Sequence, residues 1–519
     1  MSQVPTGGHL RASIPSTLLV LIVTCGAALR LVPALTHEFP LRDGGMFVVM
    51  VGDLLDARFA LPEVTSYNQL DIPFVYPPLP FYLAAMLASV LGQPPIEVLR
   101  WLPALLATST VPALYIASRE VLRSHRWPYG PAVATFAYAV SPRAFDWLIA
   151  AGGLTRALGT FFALLALERT LVALRTDRRR AQLEAGTVAG LTALSHPQAA
   201  IFLVASVLVL GLFDLRTGAV SPVQAARRLA GATAIATVVV LPWVLVLASR
   251  GRLDALLGIG GRWSPTMDLS SLTSLPFTPG GHFNVGGAFA LLLLLSNTVR
   301  GDLRLPSWIL LTVVLGVGGG GFLLEVPTAV MLGDFAARSA SRPAPRYIQV
   351  AAAIAGAALG LMALTIAVEE YTLPSSRPFQ LSPDARAAIE WSGANLEPGS
   401  GVVTITRTGW GSDLAAEWLP ALTDLRGATT VQGSEWLGRE RWSHRVDAST
   451  RVNRCAVSDA ACLDTALATL DVPVQAVLIL GPPDGLDSVP LVESLKTNAG
   501  YRLAFESGNV RVFTVPSRP

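Results

Sequence analysis

Long apolar segments recur along the first 370 residues of the chain and constrain its fold more than any other feature. Several approach the roughly 20 residues that an α-helix needs to cross a bilayer, and the shorter ones require neighbouring polar residues to do so. The segments are 14–35, 78–92, 99–118, 128–142, 153–174, 183–195, 197–213, 229–249, 285–299, 306–324, 327–338 and 347–368. This pattern predicts a polytopic α-helical membrane protein.

Composition agrees with this class and argues against others. Hydrophobic residues make up 52% of the 519-residue chain and charged residues only 14%, whereas soluble domains carry about 25% charged residues. The net charge of +3 is too small to indicate a nucleic-acid partner. The first apolar run, 14–35, has no small-residue cleavage pattern, so it predicts a retained transmembrane helix rather than a signal peptide.

Arginines in the short loops between segments determine the predicted orientation. If 78–92 does not span, alternation from a cytoplasmic N-terminus places every basic loop on the cytoplasmic side, as the positive-inside rule requires. These loops carry Arg119, Arg123, Arg126, Arg175, Arg178, Arg179, Arg180, Arg216, Arg227, Arg228, Arg300, Arg304, Arg338, Arg342 and Arg346. We therefore predict about eleven transmembrane helices, with 78–92 as a juxtamembrane or re-entrant helix and the C-terminus outside.

The first outer loop begins near Arg42 and is too polar to span the membrane. Residues 46–58 combine apolar and charged side chains in a pattern that predicts an amphipathic helix in the membrane interface. Three prolines at 77, 78 and 80 suit the start of a second helix over 78–92. Asp43 lies where the first transmembrane helix should surface, and ionisable groups near the bilayer are functional candidates.

Composition changes near residue 370, and 374–378 has the character of a linker. Strand-like runs at 402–406 and 476–480 alternate with helix-like runs at 383–395, 413–422 and 489–498, and 501–505 with 510–515 predicts a terminal hairpin. We therefore divide the chain into a transmembrane domain, 1–370, and an extracytoplasmic α/β domain, 371–519. Cys455 and Cys462 are either free thiols or a disulfide, and an outer location favours the disulfide.

With this topology, polar residues from separate loops converge on the outer face. Group transfer from a lipid phosphate needs a carboxylate that accepts a proton and arginines that bind the phosphate. A second acid or metal ligand also suits this chemistry. The candidates are Asp43, Arg143, Asp146, His196, Arg250, Arg252, Arg262, His282 and Glu325.

Four of these candidates also have a purely structural interpretation. Asp43, which precedes two glycines, fits a turn or a helix cap, and Asp146 fits an ion pair with a nearby arginine. His196 fits a hydrogen-bonded contact between helices, and Glu325 fits an interface position.

Several short motifs follow one another along the chain in an order that resembles a known family of membrane proteins. Asp43 is followed by the stretch YPPLPFYL at 76–83, LRWLPAL at 99–105, GGLTRA at 152–157, GLTALSHP at 190–197 and LPW at 241–243. This order resembles the membrane glycosyltransferases of the GT-C superfamily, in particular the bacterial branch of the protein O-mannosyltransferase and aminoarabinose transferase families. The resemblance covers residues 14–370.

The resemblance implies a polyprenyl-phosphate sugar as donor, an acceptor glycan, lipid or protein, and a site on the outer face of a bacterial cytoplasmic membrane. Asp43 would be the general base that deprotonates the acceptor hydroxyl, and direct displacement would invert the anomeric centre. In oligosaccharyltransferase relatives two further acids bind a divalent metal, which would make Asp146 and Glu325 ligands of Mg²⁺ or Mn²⁺. Mannosyltransferase relatives work without metal, so the cofactor stays open.

Two positions depart from the family pattern. Gly44 follows Asp43 where many relatives have Glu, and Tyr76 precedes the two prolines where many have His or Lys. Binding of the donor phosphate is then left to Arg42, Arg143 or an arginine of the fourth loop. The predicted substrate-binding set is Arg42, Tyr76, Arg143, Asp146, His196, Arg250 and Arg262.

Other functions stay open at this point. A transporter or permease would show an internal repeat, and the two halves of the chain show no similarity. A catalytically inactive scaffold that binds a cell-envelope partner is compatible with the two departures. The C-terminal stretch AEWLPALT at 416–423 either binds the acceptor or braces the fourth loop.

Overall fold

The computed structural model describes residues 16–125, 127–253, 270–279, 281–315, 321–343, 345–372, 380–481 and 489–515. Up to residue 372 these ranges are mainly helical, with two four-residue turns at Pro142–Phe145 and Ser270–Thr273. The helices are α1 (Ser16–Thr36), α2 (Gly45–Asp56), α3 (Leu79–Leu91), α4 (Pro95–Val121), α5 (Gly130–Val140), α6 (Leu154–Arg175), α7 (Arg179–Ala193), α8 (Pro197–Arg216), α9 (Pro222–Ser249), α10 (Val285–Val299), α11 (Arg304–Val314), α12 (Glu325–Ala340) and α13 (Arg346–Thr372). Arg262 and the predicted linker 374–378 lie outside the described residues.

Every apolar segment found in the sequence corresponds to a helix. Six helices are long and apolar enough to cross a membrane by length and composition: α1, α4, α6 with the turn before it, α8, α9 and α13. Of the other predicted spans, α5 and α11 have 11 residues, α7 and α10 have 15, and α12 has 16. The chain is therefore a multi-pass membrane protein, and the count of about eleven spans is not confirmed.

The first loop contains the two predicted helices, α2 and α3. Pro78 precedes α3 and Pro80 lies in its first turn, while Gly92, with φ of 62°, ends it in a left-handed conformation. Between the helices a short antiparallel ladder joins β1 (Val64–Thr65) to β2 (Ile72–Pro73).

Helix α6 lies at the centre of the bundle, where α4, α7 and α8 pack along it. Small residues allow this close approach, and a Cβ at Gly159 would come within 2.5 Å of the Cβ of His196. A fully buried arginine ties α1 to the end of α5: Arg30 Nη1 donates to the carbonyls of Gly26 at 3.0 Å and Ala139 at 2.8 Å. Backbone carbonyls thereby satisfy a charge that would otherwise be costly in this apolar interior.

The C-terminal domain is α/β, as predicted. Its helices are α14 (Pro383–Asn395), α15 (Leu414–Leu422), α16 (Arg439–Arg454), α17 (Ala460–Leu467) and α18 (Pro490–Thr497), and its strands are β3 (Gly401–Ile405), β4 (Arg426–Gly427), β5 (Val474–Leu480), β6 (Arg502–Ser507) and β7 (Val510–Thr514). The sheet order is β4-β3-β5-β7-β6, parallel among β4, β3 and β5 and antiparallel for β5, β7 and β6. Cys455 and Cys462 form the favoured disulfide.

The first loop and the C-terminal domain share one hydrophobic core. Buried side chains of α2 and α3, such as Met50 and Phe81, belong to the same cluster as Trp418, Ile389 and Val512. A separate cluster fills the helix bundle, and a third covers the other face of the domain sheet. The C-terminal domain therefore rests on the first loop through an apolar interface.

Candidate functional site

Asp43 lies against the segment that leads into α6. The amide of Gly152 donates to the Asp43 carbonyl at 2.7 Å, and the amide of Ala151 donates to the Leu41 carbonyl at 3.0 Å. A Cβ at position 152 would come within 2.6 Å of Asp43 Oδ2, so only glycine fits there. The first and second loops are thus joined backbone to backbone at the acid that the sequence singles out.

Two arginine–carboxylate pairs meet around one indole. Arg42 Nη2 lies 2.7 Å from Asp146 Oδ1, and Arg156 Nη2 lies 3.5 Å from Asp43 Oδ2. The guanidinium carbons of Arg42 and Arg156 are 5.0 Å and 5.2 Å from the centroid of the Trp147 ring, a distance at which a cation and an aromatic face attract. We call Arg42, Asp43, Asp146, Trp147 and Arg156 the loop-side cluster.

Asp146 is held at one oxygen and left open at the other. Its Oδ1 accepts from Arg42 and from the Tyr371 hydroxyl, the latter also at 2.7 Å. Burial raises the pKa of Asp146, and the Arg42 charge partly offsets this effect. Asp146 Oδ2 and Asp43 Oδ1 are both buried without a hydrogen-bond partner among the described residues. Buried acceptors of this kind are rare and mark places where a ligand or water is bound.

Glu325 belongs to a second group, with Arg143. Glu325 Oε2 accepts from the Ser141 hydroxyl at 2.9 Å, and Arg143 Nε lies 3.6 Å from Oε1. Arg143 also donates to the carbonyl and hydroxyl of Ser274, both at 3.0 Å. Arg143 and Glu325 thus link the second loop, the start of α12 and the segment before α10.

The proposed metal ligands do not fit a metal centre in this arrangement. In the described part of the chain no group of three or more His, Cys, Asp and Glu side chains lies close enough to hold an ion. Asp146 and Glu325 each face an arginine instead, at 2.7 Å and 3.6 Å. Asp146 and Glu325 therefore belong to two separate ion pairs rather than to one set of oxygen ligands for a divalent cation.

His196 packs beside the start of α6. Its ring nitrogens lie 3.4 Å from Thr155 Oγ1 and 3.3 Å from Gln198 Oε1. Burial, together with the nearby Arg156 charge, lowers the pKa of His196 to about 3. The imidazole is therefore neutral at physiological pH and is not a cation for the donor phosphate.

Two other predicted substrate ligands already have protein partners. The terminal nitrogens of Arg250 donate to the carbonyls of Leu61 and Pro62 at 2.6 Å and 2.7 Å, which ties the end of α9 to the first loop. Tyr76 packs its ring 4.6 Å from that of Trp436 and 5.1 Å from that of Phe47. Neither residue contributes to the loop-side cluster.

Sequence reasoning missed Trp147, Arg156, Tyr371 and Glu417 as functional candidates. Arg156 carried a usable signal, because it is a charge in the first turn of a helix whose next eleven residues are all uncharged. Tyr371 and Glu417 come from distant parts of the chain, and no local pattern points to either. The stretch 416–423, expected to bind acceptor or brace the fourth loop, contacts the first loop through Glu417 and Trp418.

Comparison with solved structures identifies the fold, although no protein-family profile and no curated protein matches the chain. The oligosaccharyltransferase AglB from Archaeoglobus fulgidus superposes with a TM-score of 0.60 at 14% identity, over 89% of this chain and 69% of that one. Its complex with an inhibitory peptide and a dolichol-phosphate gives 0.58 at 13% identity, over 95% and 73%.

ArnT from Cupriavidus metallidurans is similar over nearly its whole length. Its apo structure gives a TM-score of 0.55 at 14% identity, covering 96% of this chain and 98% of that one. Its complex with undecaprenyl phosphate gives 0.50 at 15% identity, over 97% and 99%. Both relatives are glycosyltransferases of the GT-C superfamily. At such low identity the likeness establishes the fold alone: the chain has the GT-C fold, as its motifs led us to expect.

Proposed function

We propose that the protein is a membrane glycosyltransferase that moves a sugar from a polyprenyl-phosphate donor to an acceptor hydroxyl. The GT-C fold supports this over a transporter, and the relatives in complex with dolichol-phosphate and undecaprenyl phosphate support a lipid-phosphate donor. The basic loops support a site on the outer face of the membrane. The observation that carries the proposal is Asp43 Oδ1, which has no hydrogen-bond partner in the described part of the chain, in a cluster with Arg156 and Arg42.

Asp43 is the general base in this proposal. Its Oδ2 lies 3.5 Å from Arg156 Nη2, while Oδ1 has no hydrogen-bond partner among the described residues and is the oxygen that would accept the proton. The side chain as a whole is 23% exposed, whereas Oδ1 itself is buried and is therefore held out of bulk water. A base needs this combination of a fixed position and an open acceptor.

Arg42 and Arg156 are the proposed ligands of the donor phosphate. Arg156 pairs with Asp43, and Arg42 pairs with Asp146. Both guanidinium groups also lie over the Trp147 ring. Guanidinium groups match phosphate oxygens with paired donors and keep their charge at any working pH. Arg143 is a weaker candidate because it is already bound to Ser274 and Glu325.

The reaction is then a single displacement. The acceptor hydroxyl gives its proton to Asp43 Oδ1, and its oxygen forms a bond to the anomeric carbon. The bond between that carbon and the phosphate oxygen breaks, its electron pair leaves with the polyprenyl phosphate, and the anomeric centre inverts. Arg42 and Arg156 stabilise the charge that grows on the leaving phosphate. No step in this scheme uses a metal.

An assay of the purified chain in lipid nanodiscs against a panel of polyprenyl-phosphate sugars tests the proposal. The measured product is free polyprenyl phosphate, which is released whichever acceptor is used. We expect turnover with at least one donor and a loss of about 1,000-fold for Asp43→Asn, within the range for removal of a general base.

Asp56→Asn is the matched control, because Asp56 is an exposed carboxylate of the same loop. It should retain wild-type turnover. Full activity in Asp43→Asn would remove the general-base assignment. Failure of the wild type with every donor and acceptor tested would favour the inactive scaffold.

A further inference from the structure

The turn that follows Asp43 is held by a residue of the C-terminal domain. The amides of Gly44 and Gly45 both donate to Glu417 Oε1, at 2.7 Å and 3.2 Å. Glu417 is 4% exposed. A carboxylate 373 residues away in sequence therefore fixes the two peptide groups next to the proposed base.

These two amides belong to the start of α2, where a helix leaves backbone donors without partners. Gly44 precedes the helix and provides no side chain to cap it. Glu417 takes that role from outside, since its Oε1 accepts from both amides. Burial, together with the nearby Asp43 charge, raises the pKa of Glu417 above the usual range of a carboxyl group, and Oε1 can accept these hydrogen bonds in either protonation state. The first loop therefore depends on the C-terminal domain for its cap.

Backbone geometry leaves little freedom at this turn. Gly44 has φ of 142°, and a Cβ there would come within 2.4 Å of the Ala151 side chain. A Cβ at Gly45 would come within 2.8 Å of the Glu417 carbonyl oxygen. Gly44 thus permits the close approach of the segment at Ala151, and Gly45 permits that of the Glu417 backbone.

Neighbouring contacts hold Glu417 and the other side of Asp43. The Tyr67 hydroxyl donates to the Glu417 carbonyl at 2.7 Å. The indole nitrogen of Trp418 donates to the Arg42 carbonyl at 2.9 Å, and its ring packs 4.6 Å from that of Phe39. The residues before and after Asp43 are therefore both anchored to one short stretch of the C-terminal domain.

We propose that Glu417 is a positioning residue that holds Asp43 in its productive place, so that the C-terminal domain completes the catalytic site. This inference rests on the proposed function, in which Asp43 is the base. Misplacement of a catalytic group by about 1 Å can reduce the rate on the order of 100-fold. Loss of the Glu417 contacts should therefore lower kcat and leave donor binding largely intact.

The test compares Glu417→Leu, which removes the acceptor, with Glu417→Gln, which keeps an oxygen for the two amides. We expect kcat to fall about 100-fold in Glu417→Leu with little change in KM for the donor, and to stay near wild type in Glu417→Gln. Glu390→Leu, an exposed position of the same domain, is the matched control. Wild-type kcat in Glu417→Leu, or an equal loss in Glu417→Gln, would overturn the proposal.

Hydrogen exchange of the first loop separates this inference from the proposed function. The amides of Gly44 and Gly45 should exchange at least about 10-fold faster in Glu417→Leu than in the wild type or Glu417→Gln, whether or not a donor has been found. Unchanged exchange would refute the positioning role. If Glu417→Leu does not fold, Glu417→Ala, which also removes the acceptor of both amides, takes its place in both measurements. A folded Glu417→Ala with wild-type exchange and kcat would equally count against the proposal.

Discussion

Two charged clusters at opposite ends of α6 are built from the same residue types. The loop-side cluster includes Arg156, in the first turn of the helix, and the other cluster surrounds Arg175, its last residue. We call the second group the far cluster. It comprises Glu120, Arg175, Asp214, Asp302, Asp334 and Arg338.

The two clusters differ in how completely their carboxylates are used. Arg175 bridges Glu120 and Asp214, the latter at 2.7 Å, and joins the ends of α4, α6 and α8. Among the described residues, no carboxylate of the far cluster has a buried oxygen without a hydrogen-bond partner. Asp43 and Asp146 each have one. A closed network stabilises the bundle, whereas an open one leaves acceptors for a substrate.

The largest effect is expected when the far cluster loses its central charge. Arg175 is 4% exposed at its side chain. Arg175→Gln removes the cation that Glu120 and Asp214 share, and leaves Glu120 only the longer pair with Arg123 at 3.6 Å. Breaking a buried ion pair by removing one partner costs about 3–5 kcal/mol. We expect the melting temperature in detergent to fall sharply, while the turnover of the fraction that remains folded stays at the wild-type value.

Arg180→Gln provides the control for this change. Arg180 is 89% exposed and pairs with Glu184 one turn along α7, so its removal should alter stability by less than about 0.5 kcal/mol. Equal melting temperatures for the wild type and Arg175→Gln would mean that the far cluster does not stabilise the bundle.

The matching change in the loop-side cluster should affect activity instead. Arg156→Gln removes one of the two proposed phosphate ligands and leaves the Asp43 carboxylate without its ion pair. Losing one preorganised group of this kind costs on the order of 100-fold in kcat. We expect that loss in the release of polyprenyl phosphate, with a melting temperature close to that of the wild type.

Arg169→Gln, on the same helix, is the matched substitution. Arg169 is 43% exposed and pairs with Glu168 and Glu184 away from the site, so turnover should be unaffected. A folded Arg156→Gln variant with wild-type kcat would show that the loop-side cluster, like the far one, serves the fold.

Much of the fold could be predicted because its signals are local. Apolar run length predicted every helix of the bundle, short apolar strand-like runs predicted β3 and β5, and a pair of such runs around a turn predicted the final hairpin. The two-residue strand β4 and the polar helix α16 were not predicted, because neither has an apolar pattern of its own. The number of membrane crossings stayed open, since five of the predicted spans are helices of 11 to 16 residues.

The candidate site was predictable only in part, since its contacts join distant segments. Asp43 and Asp146 could be recognised in the sequence as acids near helix ends. In the structure Arg42 pairs with Asp146. The Glu417 contact spans 373 residues and depends on how the C-terminal domain docks, which no local rule gives. The carbonyl contacts of Arg250, which was predicted as a substrate ligand, were likewise not predictable from its place in a loop.

The smallest expected effect concerns His196, which lies near the loop-side cluster but is not part of it, and it is an effect on the pH dependence of stability. Its pKa is lowered to about 3 in the folded protein, whereas an unfolded chain takes up the proton near pH 6.5. The unfolded state therefore binds more protons below pH 6.5, and stability falls as the pH drops from there towards 3. At pH 5 this amounts to about 2 kcal/mol.

His196→Gln should flatten this part of the profile. The melting temperature of the variant should fall less between pH 7 and pH 5 than that of the wild type, and turnover at pH 7 should be preserved. His444→Gln, at an imidazole that is 48% exposed, should leave the profile unchanged. If His196→Gln instead abolishes turnover at pH 7 with unaltered stability, then His196 acts on the substrate, and the open part of the site extends from Asp43 to the start of α8.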